Sequence, residues 1–195
     1  RQRQMCIRDR DSILQTENID PATTREFVSD IGAEASRLER ITEDLLRLTR
    51  LDSGAVEPAV CVPVKPVLER AARMLQPVAG QREVELTCRA DEAAAVRATE
   101  GDVHQILYNL MENGVKYTAP GGFVHTSVSV EEGRVVITVS DNGIGIPAED
   151  MPHIFERFYR VDKARSRQIG GTGLGLSIVG DTVQRRGGEI GVAPR

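Results

Sequence analysis

The chain has 195 residues, 40% of them hydrophobic, and a formal charge of −4, which suits one compact domain plus an appendage. The mild acidity and the lack of a basic run give no footprint for nucleic acid. No apolar stretch approaches the roughly 18 residues of a membrane span, and no secretory signal pattern is present. Cys6, Cys61 and Cys88 are scattered without C-x-x-C spacing, which argues against a metal or disulfide framework and for a reducing, cytoplasmic compartment.

Residues 1–10, RQRQMCIRDR, carry four arginines and no apolar periodicity. They resemble the translation of a sequencing adapter and are set aside as a non-native leader. A long helix is predicted over 22–52, where Phe27, Ile31, Leu38, Ile41, Leu45 and Leu48 recur at heptad-like intervals with one gap at Glu34/Ala35. That pattern reads as a seam for a helical bundle between subunits, within a partial helical hairpin over 11–55. Pro58, Pro63 and Pro66 mark 56–66 as a linker, and 67–195 as the following domain.

In that domain a helix is predicted over 67–79, stopped by Gly80. Strands follow at 83–88 and 94–98. Asp102 is the expected cap of the next helix, with Gln105 at capping-box spacing and Val103, Ile106, Leu107 and Leu110 as its apolar face. Two strands, 124–130 and 134–139, form a hairpin around Glu131-Glu132-Gly133. A last helix is predicted over 174–186, stopped by Gly187-Gly188, and a further strand begins over 189–192.

Three stretches carry chemistry. DNGIGIP (Asp141–Pro147) follows the alternating strand directly. It sets a carboxylate, which only accepts hydrogen bonds, beside an open backbone at Gly143 and Gly145. Such a site suits a donating edge such as the adenine amine and disfavours guanine. Asn109, Asn113 and Lys116 fall at i, i+4 and i+7 on one helix face. Amide oxygens suit Mg²⁺ shared with substrate phosphates, and the lysine adds charge for those phosphates, with Tyr117 placed to pack on a base. GGTGLGLS opens a helix with Gly171, Gly173 and Gly175, leaving backbone N–H groups free for an anion. Neither a Walker loop nor G-x-G-x-x-G occurs. Taken singly, these are also a turn, a solvated helix face and a glycine hinge.

NLMENGVKYT (Asn109–Thr118), DNGIGIP, IFERFYRVD (Ile154–Asp162) and GGTGLGLSIV (Gly170–Val179) resemble, in order and spacing, the four ATP-site boxes of sensor histidine kinases of two-component systems. LLRLTRLDSG resembles the second helix of that family's dimerisation and phosphoacceptor hairpin, so the resemblance covers roughly residues 11–192. It implies an α+β fold, an ATP-binding two-layer α/β sandwich with three helices on one face of a mixed sheet, preceded by the long bundle helix. It implies ATP and Mg²⁺ as cofactors, with Asp141 on the adenine amine and Asn113 with Asn109 on the metal. Lys116 and Tyr117 then flank phosphates and base, and Gly143 and Gly145 line the adenine pocket. Arg160 approaches the γ-phosphate, and Gly171, Gly173, Leu174 and Gly175 close over the phosphates. Phe155 and Phe158 are expected as packing residues. Where related ATPases carry a water-activating glutamate, four residues before the metal asparagine, this chain has Asn109, which favours a kinase.

The phosphoacceptor context of that family is absent. His104, His125 and His153 are the only histidines and read as structural or surface residues, so no residue is assigned as catalytic. The chain is accordingly expected to be a fragment, with a last strand missing. The implied activity is the kinase core of a histidine kinase whose parent passes the γ-phosphoryl to a histidine and on to a response regulator. The implied partners are a second copy and a receiver domain. The rival is a non-catalytic ATP-binding and dimerisation module on the same fold.

Overall fold

The computed structural model describes residues 20–52, 57–161 and 172–193. The expectations for 1–10 and for Gly171 lie outside the described residues. Helix α1 (Pro21–Asp52) matches the predicted heptad helix. Of its seam, Ile31, Leu38 and Leu45 are exposed, whereas Leu48 is buried with Leu174 and Ile178. The chain forms two compact units, one ending at Glu43 and one beginning at Asp44. No described helix is long and apolar enough to cross a membrane.

The second unit corrects the predicted linker. Val60–Pro63 is a strand, β1, antiparallel to β3 (Ala95–Ala98). Pro63 is tolerated because β1 is an edge strand, in a sheet of two. Helix α2 (Val64–Gln81) then starts earlier than predicted, with Pro66 in the first turn, where a missing N–H costs nothing. Gly80 does not stop it. The helix ends in a Schellman arrangement, with Val84 N–H on Ala79 O and Glu83 N–H on Gly80 O. The left-handed position falls on Glu83, at φ 55. Buried Val84 beside buried Ala79 is the apolar contact that accompanies the motif.

Strand β2 (Glu85–Ala90) pairs in parallel with β4 (Phe123–Glu131), and β4 pairs antiparallel with β5 (Arg134–Asp141), giving the order β2-β4-β5. The hairpin turn takes φ 48 at Glu132 and φ 77 at Gly133, two positive values that match the twist of the flanking strands. The predicted strand over 189–192 is not formed. Those residues follow Gly187-Gly188 with no ladder partner among the described residues, and an unpaired strand leaves its backbone groups to water.

Helix α3 (Glu100–Tyr117) packs against α2 and the sheet, and α4 (Gly175–Arg185) packs against α3. This is the two-layer α+β sandwich anticipated from sequence. The buried stripe of α3 is Val103, Leu107, Met111, Gly114 and Val115. Ile106 and Leu110 are only half-buried, so the apolar face is rotated from the one predicted. Its cap is Thr99, whose Oγ1 accepts the Asp102 N–H at 3.1 Å. Asp102 therefore sits at the third helical position and answers as the acidic member of the box.

The Asp102 carboxylate also receives Arg186, the C-cap of α4, through Nε at 2.9 Å and Nη2 at 2.6 Å, while Arg186 Nη1 reaches Glu57 O at 3.1 Å. Burial alone would raise the Asp102 carboxyl. The hydrogen bonds from Arg186 and Thr99 outweigh it and hold the carboxyl below its ordinary value. A depressed carboxylate stabilises the fold above its unfolded pKa, and that contribution is lost as pH falls through the folded value. Arg186→Met should cost about 2–3 kcal/mol, somewhat below the roughly 3–5 of a fully buried pair, and lower Tm by roughly 5–10 °C. In Asp102→Asn the acid-side loss of Tm should be shallower than in the parent, and scans from pH 7 down to pH 3 check both variants.

Candidate functional site

Asp141 closes β5 opposite Val124. Its Oδ1 accepts the Gly143 N–H at 2.9 Å, a turn that fixes the carboxylate on its own loop. Two neighbours anchor that loop. Asn142 N–H donates to Phe123 O at 3.3 Å and Asn142 Oδ1 accepts the Phe123 N–H at 2.7 Å, while Ile144 N–H donates to Tyr117 O at 3.2 Å. The last bond joins the carboxylate loop to the end of α3.

Two glycines are fixed by clearance. A Cβ on Gly143 would lie 2.6 Å from Tyr117 O and 2.9 Å from Asp141 Oδ1. One on Gly122 would lie 2.3 Å from Thr118 Cγ2 and 2.6 Å from Asn142 Oδ1. Gly145 has φ 70, a conformation that favours glycine.

Along α3, Asn109 is buried and Asn113, Lys116 and Tyr117 are half-buried. Asn109 Nδ2 donates to Gly175 O at 3.2 Å, which couples the stripe to the start of α4. Lys116 Nζ lies 5.6 Å from the Tyr117 ring centroid, a cation–π distance. No cluster of three His, Cys, Asp or Glu able to hold a metal exists among the described residues.

Arg160 lies beside Gly173, in the segment that leads into α4. Its Nε and Nη2 are buried without a hydrogen-bond partner among the described residues, and its Cγ lies 3.2 Å from where a Cβ on Gly173 would sit. Buried guanidinium donors left unpaired are costly, and an anion is the chemistry that satisfies them. Gly173 has φ 75, and its carbonyl accepts the Phe158 N–H at 2.9 Å. Phe158 itself is exposed, with φ 65, so the expectation that its ring packs is corrected. Phe155 does pack, against Gly180, and Arg157 pairs with Asp181 of α4 at 3.0 Å. The Leu174 side chain is core, which leaves only its backbone for a ligand.

Each histidine has a local contact. His125 Nδ1 meets Thr87 Oγ1 at 3.0 Å, His153 pairs with Glu156 at 2.6 Å, and His104 stacks on Tyr108. Sequence reading missed Arg82, Asn142 and Gly122. Pro120-Gly121-Gly122 signalled a turn but not its clearance against Asn142. Arg82 offered no signal at all, since its partner, the Lys116 carbonyl, lies 34 residues on.

The model of the family described as histidine kinase-, DNA gyrase B- and HSP90-like ATPase matches residues 98–195. Similar proteins include the sensor-like histidine kinase SenX3 of Mycolicibacterium smegmatis, 36% identical over 88% of this chain and 45% of that protein. The probable sensor histidine kinase TcrY of Mycobacterium tuberculosis is 36% identical over 96% of this chain and 39% of its own length. Among solved structures, full-length ShkA in complex with AMPPNP superposes with a TM-score of 0.71 at 29% identity, covering 89% of this chain and 38% of that one. The chain thus spans less than half the length of these relatives. With its mixed sheet, its glycine-bounded carboxylate and this match, the chain belongs to the histidine kinase-, DNA gyrase B- and HSP90-like ATPase family.

Proposed function

We propose that this chain is the Mg–ATP-binding kinase core of a sensor histidine kinase, whose whole protein transfers the γ-phosphoryl group to a histidine and then to a response regulator. The observation that carries the reading is the Asp141 carboxylate, locked on Gly143 N–H and bonded through its loop to Tyr117 O. An adenine acceptor is thereby joined to the helix end that bears Lys116. In this reading Asp141 takes the adenine amine, with Gly143 and Gly145 lining the pocket, and Tyr117 packs on the base. Asn113 and Asn109 offer amide oxygens to Mg²⁺, which when bound offsets phosphate charge. Arg160, Lys116 and the backbone of Gly173, Leu174 and Gly175 face the phosphates. Phosphoryl transfer asks mainly for positioning and charge stabilisation, which this set supplies. The exposed seam residues of α1 suit self-association in a bundle, and the free cysteines Cys61 and Cys88 suit a cytoplasmic setting.

Calorimetric titration with a non-hydrolysable ATP analogue should give binding that strengthens with Mg²⁺ and exceeds that of the guanine counterpart. Asp141→Asn should weaken it about tenfold or more, the equivalent of a charge-assisted bond of roughly 1.5–3 kcal/mol. Unchanged affinity would put the base elsewhere. Gly143→Ala should weaken analogue binding at least as much, because its methyl displaces the loop from Tyr117 O, and parent-like binding by this variant would refute the clearance argument. Incubated alone with labelled ATP, the chain should acquire no acid-labile phosphate, as none of its histidines lies on α1. Given a partner chain bearing an intact phosphoacceptor hairpin, it should label that partner. Binding without transfer would favour the non-catalytic module.

A further inference from the structure

The last turn of α3 leaves backbone carbonyls that the helix itself cannot satisfy, and different elements take them. Thr118 N–H takes Gly114 O at 3.1 Å, Ile144 N–H takes Tyr117 O at 3.2 Å, and Arg82 Nη2 takes Lys116 O at 2.8 Å. Arg82 reaches there from the C-cap of α2. No carboxylate pairs with it among the described residues, and its Nε is buried without a partner. The side chain thus spends its charge on one backbone carbonyl, at a helix end whose dipole attracts a cation.

The turn that carries Arg82 is itself held firmly. Glu83, next in sequence, takes the left-handed conformation, its carbonyl accepts the Gly121 N–H at 2.7 Å, and Glu85 N–H donates to Gly122 O at 2.9 Å. From Gly122 the chain runs to Phe123 and its paired bonds with Asn142. Two bonded routes therefore lead from this turn to the Asp141 loop. One passes through Lys116, Tyr117 and Ile144, and the other through Gly122, Phe123 and Asn142.

We infer that Arg82 is a positioning residue for nucleotide recognition: it fixes the Lys116–Tyr117 peptide, and through the Tyr117 carbonyl the loop that aims the Asp141 carboxylate. Arg82 touches no part of the base or phosphates in this reading, which rests on the adenine site proposed above. Its removal should therefore loosen discrimination at the base more than overall binding of polyphosphate.

The test is titration of the parent, Arg82→Met and Arg82→Lys with AMPPNP and with the guanine analogue, beside a melting curve for each. Arg82→Met should bind AMPPNP about five- to tenfold more weakly while losing much less toward the guanine analogue, so that selectivity falls; Arg82→Lys, keeping one donor, should recover most of it, as coupling through a shared network predicts. Arg82→Met binding AMPPNP within about twofold of the parent, a change below the range such coupling gives, would overturn the inference. Equal losses for both analogues with selectivity kept, or no rescue by lysine, would assign Arg82 to stability alone and overturn it too. Should Arg82→Met not fold, Arg82→Gln carries the same criteria with a neutral donor. A parent that fails to prefer the adenine analogue removes the proposed site itself, and is told apart because no variant is needed to see it.

Discussion

A helix end cannot be left with open carbonyls in a partly buried place, and the carboxyl end of α3 is where this domain meets that constraint. Thr118, Arg82 and Ile144 each satisfy one carbonyl, and they come from the connection after α3, the turn after α2 and the loop after β5. The same bonds that complete the helix locate Lys116 and Tyr117 relative to Asp141. Had α3 ended in a glycine motif like that of α4, where Gly187 takes φ 74 and Gly188 N–H returns to Val183 O, its carbonyls would have been closed locally. The Asp141 loop would then have lost its anchor on Tyr117.

Close approach, more than flexibility, explains several of the glycines. Gly143 and Gly122 lie where a methyl would collide with a carbonyl or a side chain of the next segment, and on Gly114 it would press on Val124 at 3.0 Å. Gly114 lets α3 sit on β4, Gly122 lets Asn142 cross to Phe123, and Gly143 lets the carboxylate loop reach Tyr117. Only at Gly143 is the nearest neighbour a backbone atom, the Tyr117 carbonyl; at Gly114 and Gly122 the space is taken by side chains of Val124, Thr118 and Asn142.

What could be read from sequence was whatever depends on near neighbours. The helix α1, the 132–133 hairpin turn and the Asp141 strand end all carry their own periodicity or turn chemistry, and all were found. The cap of α3 was misplaced because Thr99 and Asp102 are both good caps three residues apart; Thr99 Oγ1 takes the Asp102 N–H, while the Asp102 carboxylate also takes Arg186. Strand β1 was hidden by Pro63 and by the flanking Pro58 and Pro66, since its existence depends on β3 and on Val64 N–H reaching Ala94 O at 2.9 Å. The roles of Arg82 and Arg186 rest on partners 34 and 84 residues away, a separation that no local pattern encodes. Phe158 misled for another reason: an aromatic among charged residues reads as a packing anchor, yet its backbone is what the fold uses.

The two ends of α4 are held differently, and the difference bears on how the site works. At its C-terminus, Arg186 grips the start of α3 through Asp102 and the Glu57 carbonyl. At its N-terminus, Gly175 O is held by the Asn109 amide alone among the described side-chain bonds, although buried Leu174 and Ile178 secure the turn by packing. An ion pair in which two guanidinium nitrogens converge on Asp102 Oδ2, largely buried, is a strong fixture, and one neutral amide bond is a weak one. The Asp141 loop, by contrast, is anchored by backbone bonds at Asn142, Gly143 and Ile144, so its place is set by several partners at once.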